Sequence, residues 1–77
     1  MNTPLTRLDI GEKGEIIELN GGRVFQKRLR TMGIREGKVI TVTTKHPMGG
    51  PLVVEVEGRN TTIGRGMAQR IMVRQTT

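Results

Sequence analysis

The chain has no cysteine, serine, tryptophan or tyrosine, and one phenylalanine, Phe25. Without cysteine there is no disulfide scaffold, thiolate zinc site, iron–sulfur cluster or cysteine nucleophile. Without serine, and with His46 as the one histidine, a hydrolase triad is excluded. The threonines show no neighbouring base that would activate one of them. Gly11-Glu12-Lys13-Gly14 and Gly64-Arg65-Gly66 lack the GxxxxGK[ST] order of a phosphate-cradling loop and read as turns. No apolar run is long enough to cross a bilayer, and Met1 to Leu8 lacks the apolar segment of a secretory signal. The expectation is a soluble cytoplasmic protein that is not an enzyme and holds no cofactor.

What is present is mostly aliphatic and basic. Seventy-seven residues suffice for one small domain, 1–77, with loose ends at about 1–4 and 75–77. The hydrophobic share of 34% must be packed from Val, Ile, Leu and Met. Thirteen Lys and Arg against seven Asp and Glu give a net charge of +6, and nine of the thirteen are Arg. That excess suits an acidic protein surface, a nucleic acid or anionic lipid, and it also serves plain solubility.

Eleven glycines punctuate short segments. Glu15-Ile16-Ile17-Glu18-Leu19 reads as a strand whose imperfect alternation leaves open which isoleucine faces inward. Between residues 23 and 33 the period changes. Phe25, Leu29 and Met32 at i, i+4 and i+7 form the apolar stripe of a short helix over 23–32, and Gly33 suits its left-handed ending. Arg23, Lys27 and Arg30 share that spacing on the opposite side. Val39 to Thr44 is wholly β-branched, with Ile40, Val42 and Thr44 on one face. His46-Pro47-Met48-Gly49-Gly50-Pro51 reverses the chain into a strand in which Leu52, Val54 and Val56 alternate with Val53, Glu55 and Glu57. A turn at Gly58-Arg59-Asn60, a strand around Thr61 to Ile63, a helical turn within 64–70 and a strand through Ile71 and Val73 complete the chain. Five or six short strands at this spacing with one short helix read as a small β-barrel. Its expected core is Leu8, Ile16, Phe25, Leu29, Met32, Ile34, Ile40, Val42, Leu52, Val54, Val56, Ala68, Ile71 and Val73.

Such a chain would work by binding. Two features offer contacts: the helix face of Arg23, Lys27 and Arg30, and the hairpin tip Met48-Gly49-Gly50. The face suits electrostatic steering toward an acidic surface, and the tip offers a flexible apolar side chain. RNA or the ribosome is the alternative partner, favoured by charge and opposed by the absence of an aromatic stacking platform. A direct ferrous-iron site would have to combine His46 with carboxylates such as Glu55 and Glu57, and no His or Cys cluster supports it.

The order of motifs adds a resemblance. Leu8, Gly11, Gly14 and Ile16, then Arg28-Leu29, Met32-Gly33-Ile34 and Gly37, resemble the front half of the FeoA family, ferrous iron transport protein A. Pro47-Met48-Gly49-Gly50-Pro51-Leu52, Val54, Val56 and Gly58 look like its hairpin and following strand, and Ala68, Ile71 and Val73 like its closing segment. The resemblance implies an SH3-like β-barrel of five to six strands. It further implies a cytoplasmic accessory protein of ferrous iron uptake that regulates or assembles a FeoB-like membrane transporter with a GTPase domain, binding its cytoplasmic part. The link to Fe2+ rests on the resemblance alone.

Overall fold

The computed structural model describes residues 2–76; Met1 and Thr77, taken above as part of the loose ends, lie outside the described residues. In chain order the strands are β1 (Asn2–Pro4), β2 (Lys13–Leu19), β3 (Val39–Lys45), β4 (Leu52–Val56), β5 (Arg59–Ile63) and β6 (Ile71–Gln75). Helix α1 (Arg23–Thr31) lies between β2 and β3, the single turn α2 (Arg65–Ala68) between β5 and β6, and a 3-10 turn covers Leu5–Arg7. All six strands form one antiparallel sheet ordered β1-β6-β2-β3-β4-β5, so β1 and β5 are its edges and the ladder stays open between them. Full barrel closure is therefore corrected to an open sheet, while five of the six strands and the one main helix are those expected.

A flat sheet of this width would need a layer of helices to dry its inner face. One nine-residue helix cannot supply that layer, so the sheet must wrap around its own face. Two slips in the ladder contribute, since an extra residue bends a strand and raises its twist. The β2–β6 register shifts between Ile16 and Glu18, and the β3–β4 register between Val42 and Thr44. The first slip settles the ambiguity at Ile16-Ile17: Ile16 is buried, Ile17 half-buried, and Leu19 turns inward to join a core it was not expected in. The second turns Thr44 outward, against the expectation that it shares a face with Ile40 and Val42.

Other corrections have equally local causes. Asn2–Pro4 is not loose but pairs with Met72 to Arg74, and the following 3-10 turn buries Leu5. At the other end Gln75 is in β6, and the Thr76 amide donates to the Lys13 carbonyl at 3.0 Å. Ile63 is buried opposite Leu52. The turn after β4 falls at Glu57-Gly58, one residue earlier than read, because Val56 already pairs with Arg59.

Helix α1 is short and has no side-chain cap at Gly22, so its stability must come from docking. Leu29 is its one fully buried residue; Phe25 and Met32, expected in the core, are half-buried at its rim. The far end is closed by a Schellman motif. The Ile34 amide donates to the Leu29 carbonyl at 2.9 Å and the Gly33 amide to the Arg30 carbonyl at 3.0 Å, with Gly33 at φ +84. Emptying the single buried anchor should therefore undock the helix. Leu29→Ala is expected to lose about 2–5 kcal/mol, lowering Tm by roughly 8 °C or more, read by thermal denaturation; a melting point within a degree or two of the parent would contradict this docking.

Candidate partner-binding surface

With Leu29 pinned inward, α1 turns Arg23, Val24, Lys27, Arg28 and Arg30 to solvent. Arg23, Lys27 and Arg30 are thus placed together as expected, but they are not equivalent. Arg30 reaches Glu36 at 3.4 Å, whereas Arg23, Lys27 and Arg28 form no ion pair among the described residues. The Glu36 carboxyl is held below the usual carboxylate range, first by its own backbone amide and then by Arg30 and Arg35. Whatever this pair contributes is present above the ordinary carboxylate pKa and lost as pH falls through the lowered one.

The face contains two residues that the stripe did not single out. Arg28 neighbours Lys27, and Val24, 82% exposed, lies outside the i, i+4, i+7 pattern. At one side the Arg70 guanidinium sits 5.4 Å from the centroid of the Phe25 ring, a cation–π contact that adds a further charge to this region. Gln26 ties the helix down by donating to the Leu19 and Gly21 carbonyls at 3.2 and 3.0 Å. The first turn has no acidic residue and opens with Arg23. A cation there opposes the positive end of the helix macrodipole, so local stability does not account for it.

The hairpin tip is a separate feature, joining β3 to β4. The His46 amide donates to the Pro51 carbonyl at 3.0 Å and the Gly50 amide to the Pro47 carbonyl at 3.2 Å. Between them Met48 and Gly49 have φ +60 and +77, the dihedral pattern of a type I′ turn. Met48 is fully exposed, Gly49 exposed and Gly50 half-buried.

The remaining candidates do not converge. His46 is exposed on the hairpin. Glu55 accepts from the Gly58 amide at 2.7 Å, and Glu57 meets Lys38 at 3.2 Å from a turn rather than a strand. Among the described residues no three His, Asp or Glu side chains stand close enough to hold a metal ion, and no pocket opens. No helix of the described residues is long and apolar enough to cross a membrane. This surface offers fixed cations, the exposed Val24 and the exposed Met48.

Comparison with known proteins places the fold. The family model described as the FeoA domain matches residues 3–75. This chain belongs to the FeoA family. A crystal structure of a FeoA described as an iron uptake regulatory protein superposes with a TM-score of 0.91 at 38% identity, covering 99% of this chain and 100% of that one. A protein of Methanocaldococcus jannaschii named for Fe(2+) transport protein A is 34% identical over 91% of this chain and 83% of its own length. A Porphyromonas gingivalis fusion of Fe(2+) transport protein A with the Fe(2+) transporter FeoB is 33% identical over 90% of this chain, which spans only 8% of the fusion. A zinc-complexed FeoA of Stenotrophomonas maltophilia, described as an SH3 domain protein, shares the fold with a TM-score of 0.72 at 24% identity, covering 92% of this chain and 88% of that one. The open six-stranded sheet with α1 is accordingly the SH3-like architecture of a FeoA domain, and its setting is ferrous iron transport.

Because Arg23 opposes the helix dipole, Arg23→Glu in this FeoA domain should stabilise the fold by about 0.3–1 kcal/mol, a rise in Tm of roughly 2–5 °C. Thermal denaturation at low ionic strength, repeated in high salt where the gain should shrink, checks it.

Proposed function

We propose that this chain is an accessory protein of ferrous iron uptake that binds the cytoplasmic part of a FeoB-like transporter to regulate or assemble it, and that the exposed face of α1 steers the encounter. The fusion of a 33% identical FeoA segment to FeoB in one polypeptide is the observation that carries this reading. Fusion sets two modules at high effective concentration. The same pairing between separate chains must rely on its own surfaces, and three cations on a rigid helix, with no ion pair among the described residues, suit an acidic partner patch. The chain acts in this reading as a binding module in the cytoplasm, with no catalytic group and no resident metal. The iron is the transporter's cargo.

Kinetics with the transporter's soluble cytoplasmic domain test it. The triple variant Arg23→Glu/Lys27→Glu/Arg28→Glu leaves Arg30 in place, because reversing it would set two carboxylates against each other at Glu36. Its association rate should fall about tenfold or more at low salt and lose most of its salt dependence, with dissociation little changed. Absence of wild-type binding, combined with tight single-stranded RNA binding that persists at physiological salt, would favour the RNA-binding alternative instead.

A further inference from the structure

Two hairpins of this sheet make the same kind of turn with different support. Glu57-Gly58 between β4 and β5 and Met48-Gly49 between β3 and β4 both place a non-glycine residue and then glycine in the left-handed region, at φ +52 and +81 and at φ +60 and +77. Asn or Asp favours the first of those positions because its short polar side chain tolerates the conformation. At Glu57 the departure has local compensation. Its carboxylate meets Lys38 at 3.2 Å, and the turn's Gly58 amide donates to Glu55 at 2.7 Å. Met48 has no such compensation: its side chain is fully exposed, with the thioether in water. A flexible apolar residue held in a disfavoured backbone region is a feature the fold itself does not require.

Beside this tip lies a second unmet group. A Cβ built on Gly49 would stand 3.9 Å from both Cδ and Nε of Arg65, so the backbone of the turn runs close over that side chain. Arg65 Nε is buried and has no hydrogen-bond partner among the described residues. A buried donor without an acceptor is unfavourable, so turning the guanidinium outward onto a carboxylate would exchange an unmet N–H for a bidentate, charge-assisted pair. The segments 46–51 and 64–70 contain no acidic residue that could supply it.

From these two observations we infer that the Met48-Gly49 tip and Arg65 form a second contact site, one that anchors an acidic protein partner presenting a carboxylate beside an apolar pocket. Met48 fills the pocket and Arg65 takes the carboxylate. The lone arginine and the apolar tip fit a protein better than a polyanion, whose binding rests on several phosphate contacts. The inference rests on the proposed function, the partner being the cytoplasmic part of the same transporter. It assigns this site to holding the complex, where the face of α1 serves to form it.

The test pairs stability with dissociation. Met48→Asn relieves the turn and should raise Tm by a few degrees, yet should speed dissociation from the transporter's soluble cytoplasmic domain about tenfold. Arg65→Met removes the unmet donor and should leave Tm equal or higher, with dissociation faster by about as much. Glu57→Asn, an equivalent substitution in the other hairpin, should leave dissociation unchanged. Wild-type binding with parental dissociation rates in Met48→Asn and Arg65→Met overturns this site and leaves the proposed function standing. No wild-type binding overturns both. Faster dissociation accompanied by a lowered Tm in both variants also overturns the site, since general destabilisation would then explain the loss.

Discussion

The β2–β6 ladder loses step between Ile16 and Glu18, and the β3–β4 ladder between Val42 and Thr44. The dry interior depends on both slips. With one phenylalanine and no other aromatic residue, this chain cannot fill a broad core with large rings. It must bring many small aliphatic side chains close from all sides. Bent, strongly twisted strands do that, letting the inner faces of β2, β3, β4, β5 and β6 meet in one cluster closed at its margins by Leu5, Leu8 and Leu29.

Once the sheet covers itself, α1 is released from most structural duty. A single buried leucine, the Gln26 side chain and a Schellman ending hold it, which leaves four basic residues, one of them paired with Glu36, and a valine exposed on its outer face. Sequences are ordinarily consistent across levels, and local conflicts gather where function imposes them. Here an arginine sits at the wrong end of a helix dipole and a methionine sits in a turn made for asparagine. Both are exposed.

The surface this produces has no concavity suited to a small molecule among the described residues. Its resources are rigid charge and protruding apolar atoms, which suit the proposed protein partner. Membership of the FeoA family and the existence of a FeoA–FeoB fusion set the domain in ferrous iron transport. A steering face and a holding tip on different elements would let the rate of encounter and the lifetime of the complex vary independently.

Much of the fold was legible in the sequence because it is written in local periodicity. The stripe Phe25, Leu29, Met32 marked α1, the β-branched run from Val39 marked β3, and the alternation from Leu52 marked β4, since each depends on neighbours a few residues away. The exposure of Arg23, Lys27, Arg30 and Met48 followed from the same patterns. What strict periodicity could not show is where it breaks. Leu19 inward and Thr44 outward each follow from a one-residue slip, which moves every later side chain to the other face, and the early turn at Glu57 follows from the pairing of Val56 with Arg59. Such a slip is settled by pairing with a distant strand. The strand at Asn2–Pro4 exists because β6, some seventy residues later, offers it an edge. Whether a cation finds a partner is likewise decided across the fold: Arg30 meets Glu36, Arg70 lies over Phe25, and Arg65 lies under Gly49. Composition and periodicity determined the elements and the sign of the surface charge; only tertiary pairing decided the registers and which of the charges remain free, because both depend on contacts between segments far apart in the chain.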